Sequence, residues 1–183
     1  MIPLAVLSLA GCGGGSDTDT ANSGTSPPSR VVSTTTLVTT TTTDPRDAVK
    51  AAYLAYWAMA DRLAQDPDPD DREIATRMAD PALTDFVSEM ATRVATGRRM
   101  RFPTPDLNHH EIVGIEVSPA AATVTDCYVD GRIQLSSDGS VENDDVVSKR
   151  LVAKMSSVAA GEWRVTSVET VTRQPGVVPC AGV

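Results

Sequence analysis

Apolar positions recur at two periods along this chain, and the switch between them divides it into helices and strands. Val49, Ala52, Tyr53, Tyr56, Ala60 and Leu63 return every three to four residues, which predicts an amphipathic helix over 45–65. Asp44-Pro45 supplies a capping side chain and a proline at the first helical position, and Asp47 sits where the helix dipole favours an acid. Trp57 falls at the edge of the apolar face. Two prolines in Asp66-Pro67-Asp68-Pro69-Asp70 break the helix. Asp70 and Asp71 can cap a short second helix ending at Met78. Asp80-Pro81 repeats the cap-plus-proline signal before a third apolar stripe of Leu83, Phe86, Val87, Met90 and Val94, which Gly97 stops.

Beyond Gly97 the period falls to two. Val113, Ile115 and Val117 alternate over 111–118. Over 122–130, Val124, Asp126, Tyr128 and Asp130 share one face, and Thr123, Thr125, Cys127 and Val129 the other. Alternation returns over 145–157 and 162–172, with turns at Ser118-Pro119-Ala120, Asp138-Gly139 and Gly161. The expected product is an α+β domain over 45–183, with N-terminal helices packed on an antiparallel meander of about four strands.

Residues 1–44 do not follow either period. Ile2–Leu9 is apolar, and Leu9-Ala10-Gly11-Cys12 follows at once. The quartet resembles the lipobox of bacterial lipoproteins. The resemblance implies a signal peptide over 1–11 and lipid attachment at Cys12 after cleavage; the charged n-region is missing, so either Met1 is a misassigned start or the signal peptide is truncated. Two acyl chains give stable anchoring where one is marginal. The implied location is the outer face of the bacterial plasma membrane. Residues 12–44 are rich in Gly, Ser and Thr, with eight threonines between Ser33 and Thr43. Such a segment buries too little apolar area to offset its ordering entropy, and reads as a disordered tether. As a coil, residues 13–44 would span roughly 30 Å. Val31, Val32, Leu37 and Val38 form a strand-like patch with no evident partner.

Charge narrows the function. The 183 residues carry 24 acids against 16 bases, a net −8. Nucleic-acid binding needs a basic face that releases counterions, so no nucleic-acid partner is expected. No apolar run reaches the roughly 20 residues that span a bilayer. Beyond Cys12 only Cys127 and Cys180 remain, and in an exported protein this pair suggests a disulfide tying the C-terminal tail to the sheet.

Element order, the Tyr-rich first helix and Gly161-Glu162-Trp163-Arg164-Val165 resemble the NTF2-like superfamily, including SnoaL-like domains, and its exported lipoprotein members in high-GC Gram-positive bacteria. The resemblance implies a cone in which helices lie across a curved sheet whose concave face can enclose a pocket. The family often has a strand between its second and third helices, and none is visible between Met78 and Pro81. The family hosts isomerases and lyases as well as inactive binding modules, so fold does not decide activity.

Candidate chemistry is sparse. Tyr53, Tyr56, Trp57, Asp126 and Tyr128 are the candidate pocket residues. The Asp126–Tyr128–Asp130 face has two readings: a carboxylate among tyrosines acting as a general base, or a solvent-facing strand surface. No second catalytic partner can be placed, so no catalytic residue is assigned. His109-His110-Glu111 reads as a surface turn entering a strand. Neighbouring strand residues point to opposite faces, so the two imidazoles do not share a metal. The acidic runs Asp66–Asp71 and Glu142–Asp145 lack calcium-loop spacing and read as solvated loops. Arg98, Arg99 and Arg101 either complement the preceding helix or touch anionic lipid. No cofactor or metal is expected. The sequence-level expectation is a non-catalytic binding or scaffolding domain at the cell envelope, meeting a protein partner or small hydrophobic ligand. The alternative is a small-molecule binder or weak SnoaL-like lyase or isomerase. Homodimerisation through the open sheet face is a family habit on which this sequence is silent.

Overall fold

A computed structural model describes residues 44–102, 104–159 and 161–179. The signal peptide, Cys12, the tether and Cys180 lie outside the described residues. Three helices come first: α1 (Pro45–Gln65), α2 (Ile74–Arg77) and α3 (Ala82–Thr96). Seven strands follow, β1 (Arg99–Arg101), β2 (Asn108–Val117), β3 (Ala121–Asp130), β4 (Ile133–Leu135), β5 (Val141–Asn143), β6 (Val147–Ala159) and β7 (Glu162–Pro175). The chain is α+β, as the change of period predicts.

Local chemistry sets the helix ends. The Asp44 carboxylate accepts the Arg46 N–H at 2.9 Å, with Pro45 inside the first turn. Gly97 closes α3 in the left-handed conformation, φ 68°, donating to the Arg93 and Val94 carbonyls. Arg98 is not needed as a cap and instead pairs with Glu142 at 3.1 Å. At the start of α3 the expected cap is absent: the Asp80 carboxylate takes the Thr84 hydroxyl at 2.7 Å. The acidic break after α1 is an organised loop, because Arg62 grips Asp71 at 2.8 Å and Glu73 at 3.0 Å.

Four strands form an antiparallel sheet in the order β2-β3-β6-β7, the expected meander. Sequence reading misses a second sheet, β1-β4-β5, whose strands are only three residues long. Three residues are too few for a period to register. Between α2 and α3, where no strand is expected from the sequence, a single parallel bridge joins Met78 to Val165.

The core lies between α1 and the inner face of the four-stranded sheet. Val49, Tyr53, Ala60 and Leu63 meet Val124, Leu151, Ala153, Met155 and Val165 there. Met90 is the buried side chain of α3, whose Leu83, Phe86 and Val87 are half-covered. Alternation along β3 places Ala122, Val124, Asp126, Tyr128 and Asp130 toward α1. The solvent-face reading of Asp126 and Tyr128 is therefore corrected, for both are buried at 0% and 1% exposure. The outer face of β3 is covered too. Residues 176–179 cross back over it, held by Gly176 N–H to the Val146 carbonyl and by Val178 N–H to the Ser148 hydroxyl.

Candidate functional site: a buried carboxylate, imidazole and aromatic cluster

Three elements deliver the side chains of this cluster. On α1, Tyr53, Trp57 and Asp61 follow at i, i+4 and i+8, one above another on the sheet-facing side. On β2, Asn108 and His110 share a face. Asp126, Tyr128 and Asp130 come from β3, whose register sets His110 opposite Tyr128 and Ile112 opposite Asp126. His110 and Asp126 are thus diagonal neighbours across the strand pair.

Asp126 Oδ2 accepts two hydrogen bonds, from His110 Nδ1 at 2.6 Å and from the Tyr53 hydroxyl at 2.9 Å. Burial, followed by the nearby Asp126 charge, pushes the Tyr53 phenol far above its ordinary range, so it acts as a donor. The His110 ring lies flat on Tyr128, centroids 4.2 Å apart and planes 4° from parallel. Trp57 covers both rings, its centroid 4.5 Å from His110 and 5.2 Å from Tyr128. The Tyr128 hydroxyl donates to Asn108 Oδ1, and Asn108 Nδ2 donates to Asp61 Oδ2 at 2.9 Å. Burial raises the Asp61 carboxyl pKa, opposed by that amide bond.

An ion-pair cluster sits at the Asp130 end. Arg132 Nε and Nη2 take the two Asp130 oxygens at 2.8 and 2.9 Å, and Lys149 Nζ reaches Oδ2 at 2.6 Å. Burial works against the Asp130 charge, yet these cations hold its carboxyl well below the usual carboxylate range. Arg132 also lies 5.5 Å from the Tyr128 ring centroid.

The five candidate pocket residues are brought together, but as packing partners. Tyr128 lines one surface groove, with Cys127, Lys149 and Val178, whereas Tyr53, Tyr56, Trp57 and Asp126 line none of the five described grooves. Tyr56 is buried enough for its phenol to be pushed up to about 12. The arrangement holds the pieces of a general base, since an imidazole held by a carboxylate through Nδ1 keeps Nε2 for proton transfer. Nε2 has no hydrogen-bond partner among the described residues, and Tyr128 and Trp57 both pack against the ring.

The sequence-level reading missed His110. Its expected surface turn is the start of β2, and its ring is inside, while His109 is exposed. The cause is a register shift between Ile112 and Gly114, which inverts the alternation. Counting back from Val113, Ile115 and Val117 puts His110 outside, but Val113 itself is 46% exposed. Gly114 within the strand is the signal that could have found the bulge. Among the described residues no group of His, Cys, Asp or Glu is placed to hold a metal ion. Cys127, on the outer face of β3, is disulfide-bonded, its partner lying outside the described residues.

Comparison with known proteins identifies the fold alone. No family model matches the chain, and no curated protein matches it. Among solved structures, the chain is similar to the crystal structure of the intermembrane space region of the chloroplast protein ARC6. The TM-score is 0.54 at 15% sequence identity, covering 70% of this chain and 96% of that one.

Proposed function

We propose that this chain is an exported lipoprotein, anchored through Cys12 at the outer face of the bacterial plasma membrane, whose NTF2-like domain binds or scaffolds without catalysis. One observation carries the non-catalytic part. The space where a cone-shaped fold would hold a substrate is filled by Trp57, Tyr53, His110 and Tyr128 around an Asp126 with 0% exposure. A reacting molecule needs a place within hydrogen-bond reach of its base, and packed rings leave none. The bonds from Tyr53 and His110 to Asp126, and from Tyr128 through Asn108 to Asp61, tie α1 to β2 and β3 and favour one packing of them. The lipobox likeness and the tether composition support the anchor, and no described helix is long and apolar enough to cross a membrane itself.

The test is fractionation of cells producing the full chain. Wild type is expected in the membrane fraction and the Cys12→Ser variant in the soluble exported fraction. Persistent membrane attachment of Cys12→Ser would sink the anchor. A second reading, a weak lyase or isomerase, draws on the His110–Asp126 pair and requires Trp57 to swing aside. It predicts that turnover of a bound small molecule is abolished by His110→Gln. Turnover surviving that change excludes it.

A further inference from the structure

Polar atoms shut inside a core need partners, and four side-chain atoms lack one among the described residues: Trp57 Nε1, Asp61 Oδ1, His110 Nε2 and Asp126 Oδ1. All four belong to the cluster between α1, β2 and β3. A buried polar group left unbonded costs more than a made hydrogen bond is worth, and four together would rival the net stability of a small domain. Ordered water inside the protein is the usual remedy for such a group.

The chemistry of the four atoms narrows what can serve them. Burial raises the Tyr53 phenol pKa, and the Trp57 indole N–H, turned towards that hydroxyl, opposes the rise, so the indole has a partial partner. The other three atoms are short of hydrogens. Carboxylate oxygens only accept, and with Nδ1 donating to Asp126, Nε2 of a neutral imidazole accepts as well. The His110 and Asp126 side chains are 9% and 0% exposed. Trp57 and Tyr128 pack against the imidazole, but the Nε2 lone pair lies in the ring plane and is approached at the ring's edge. Asp61 stands one turn beyond Trp57 on α1, and its Oδ2 is held by Asn108, two residues before His110 on β2. Burial raises the Asp61 carboxyl pKa, and Asn108, Arg132 and His110 oppose it, so imidazole and carboxyl are neighbours across the α1–β2 contact.

We propose that an ordered water molecule is bound at the edge of the His110 ring, donating one hydrogen to His110 Nε2 and the other to Asp61 Oδ1. Water brings the two hydrogens that these acceptors require. At about 30 Å³ it is small enough for a place that none of the five described grooves reaches. Because it also accepts, it would serve an Nε2–H equally. The bound molecule makes Asp61 a second clasp between α1 and β2, beside the Tyr53–Asp126–His110 junction. Asp61 is only half-buried, and supplies the way by which this water exchanges with solvent.

Oxygen-17 relaxation dispersion counts water molecules that stay inside a protein and is blind to exchange of hydroxyl hydrogens. The full chain carrying Cys12→Ser, free of acyl groups, is measured beside the same chain with Asp61→Leu or Asp61→Asn. Asp61→Leu fills the space without an acceptor, and the count of long-lived waters should fall by about one molecule. Asp61→Asn keeps a group that bonds water, and the count should stay at the parent value. An unchanged count in Asp61→Leu overturns the proposal, as does a parent chain with no long-lived water. The nitrogen-15 spectrum of the parent gives a second reading that needs no variant. His110 Nε2 should resonate as a hydrogen-bonded nitrogen, and the shift of a free imine nitrogen overturns the site even if Asp61→Leu does not fold.

Discussion

His110 Nδ1 and the Tyr53 hydroxyl converge on one atom, Asp126 Oδ2, at 2.6 and 2.9 Å. One carboxylate oxygen thereby joins α1, β2 and β3 at the centre of the core. Tyr53→Phe removes one donor and is expected to cost about 1 kcal/mol, the net worth of a hydrogen bond. Asp126→Ala strands both donors in the interior and should cost about 3 kcal/mol or more. The two changes share a partner, so the double variant should cost less than the sum of the singles by at least about 0.5 kcal/mol. Urea unfolding of the four proteins checks this, and strict additivity would show that the shared oxygen does not couple them.

Asp130 makes stability depend on acid. Its carboxyl pKa is lowered in the folded protein from an ordinary 3.8, so the native state stays ionised where the unfolded chain takes up a proton. The unfolded state then binds more protons, and stability rises with pH. The contribution is present above about pH 4 to 5 and is lost as pH falls below that window. Asp130→Asn should destabilise the domain by about 3 kcal/mol at pH 7, because Arg132 and Lys149 lose a buried counter-ion. The penalty should shrink at pH 3. Urea midpoints at the two pH values measure it, and an equal penalty at both would refute the account.

Gly131 is expected to resist any side chain. A Cβ there would stand 2.7 Å from the Leu107 carbonyl oxygen and 2.8 Å from the Leu107 Cβ. The Gly131 N–H already donates to that carbonyl at 2.7 Å, so the two segments cannot separate without losing the bond. Gly131→Ala should cost about 1–3 kcal/mol, the usual range for overpacking. Gly139→Ala is a contrasting control: open space surrounds it, and the cost there comes only from its φ of 84°.

Much of this was legible in the sequence, and the failures have physical causes. The span of α1 and its Asp44 cap follow from a strong 3.6-residue period and a capping signal in one place. The β3, β6 and β7 meander follows from long alternating runs, which the 13- and 14-residue strands β6 and β7 supply. What escaped was whatever interrupts a period. The bulge beside Gly114 hid His110, and with it the partner of Asp126. The acid–aromatic face of β3 offered two environments, and only tertiary packing decides between them. Arg62 gathering Asp71 and Glu73 is likewise a contact between segments, with no trace in local composition.

For the tail, the pairing of Cys127 with Cys180 is the proposed disulfide. Pro179 and Val178 line the groove in which Cys127 lies. The closed loop spans 180 − 127 = 53 positions. The chain-entropy model gives about 4 kcal/mol as an upper figure for that size. Cys180→Ser should lower the urea midpoint accordingly and leave a Cys127 thiol that alkylates only after unfolding. A variant as stable as wild type would argue against the pair.

The strap over β3 also sets an order of events. Val178 bonds to Ser148, thirty residues back in the chain, across a sheet that must already be in place. The outer side of β3 can therefore be sealed only after residues 176–179 have been made. A chain cut short before Gly176 would leave Cys127 and Val129 bare on an otherwise assembled sheet. Such a strip marks an unfinished molecule for a protease, so the strap at residues 176–179 becomes a condition of survival as well as of stability.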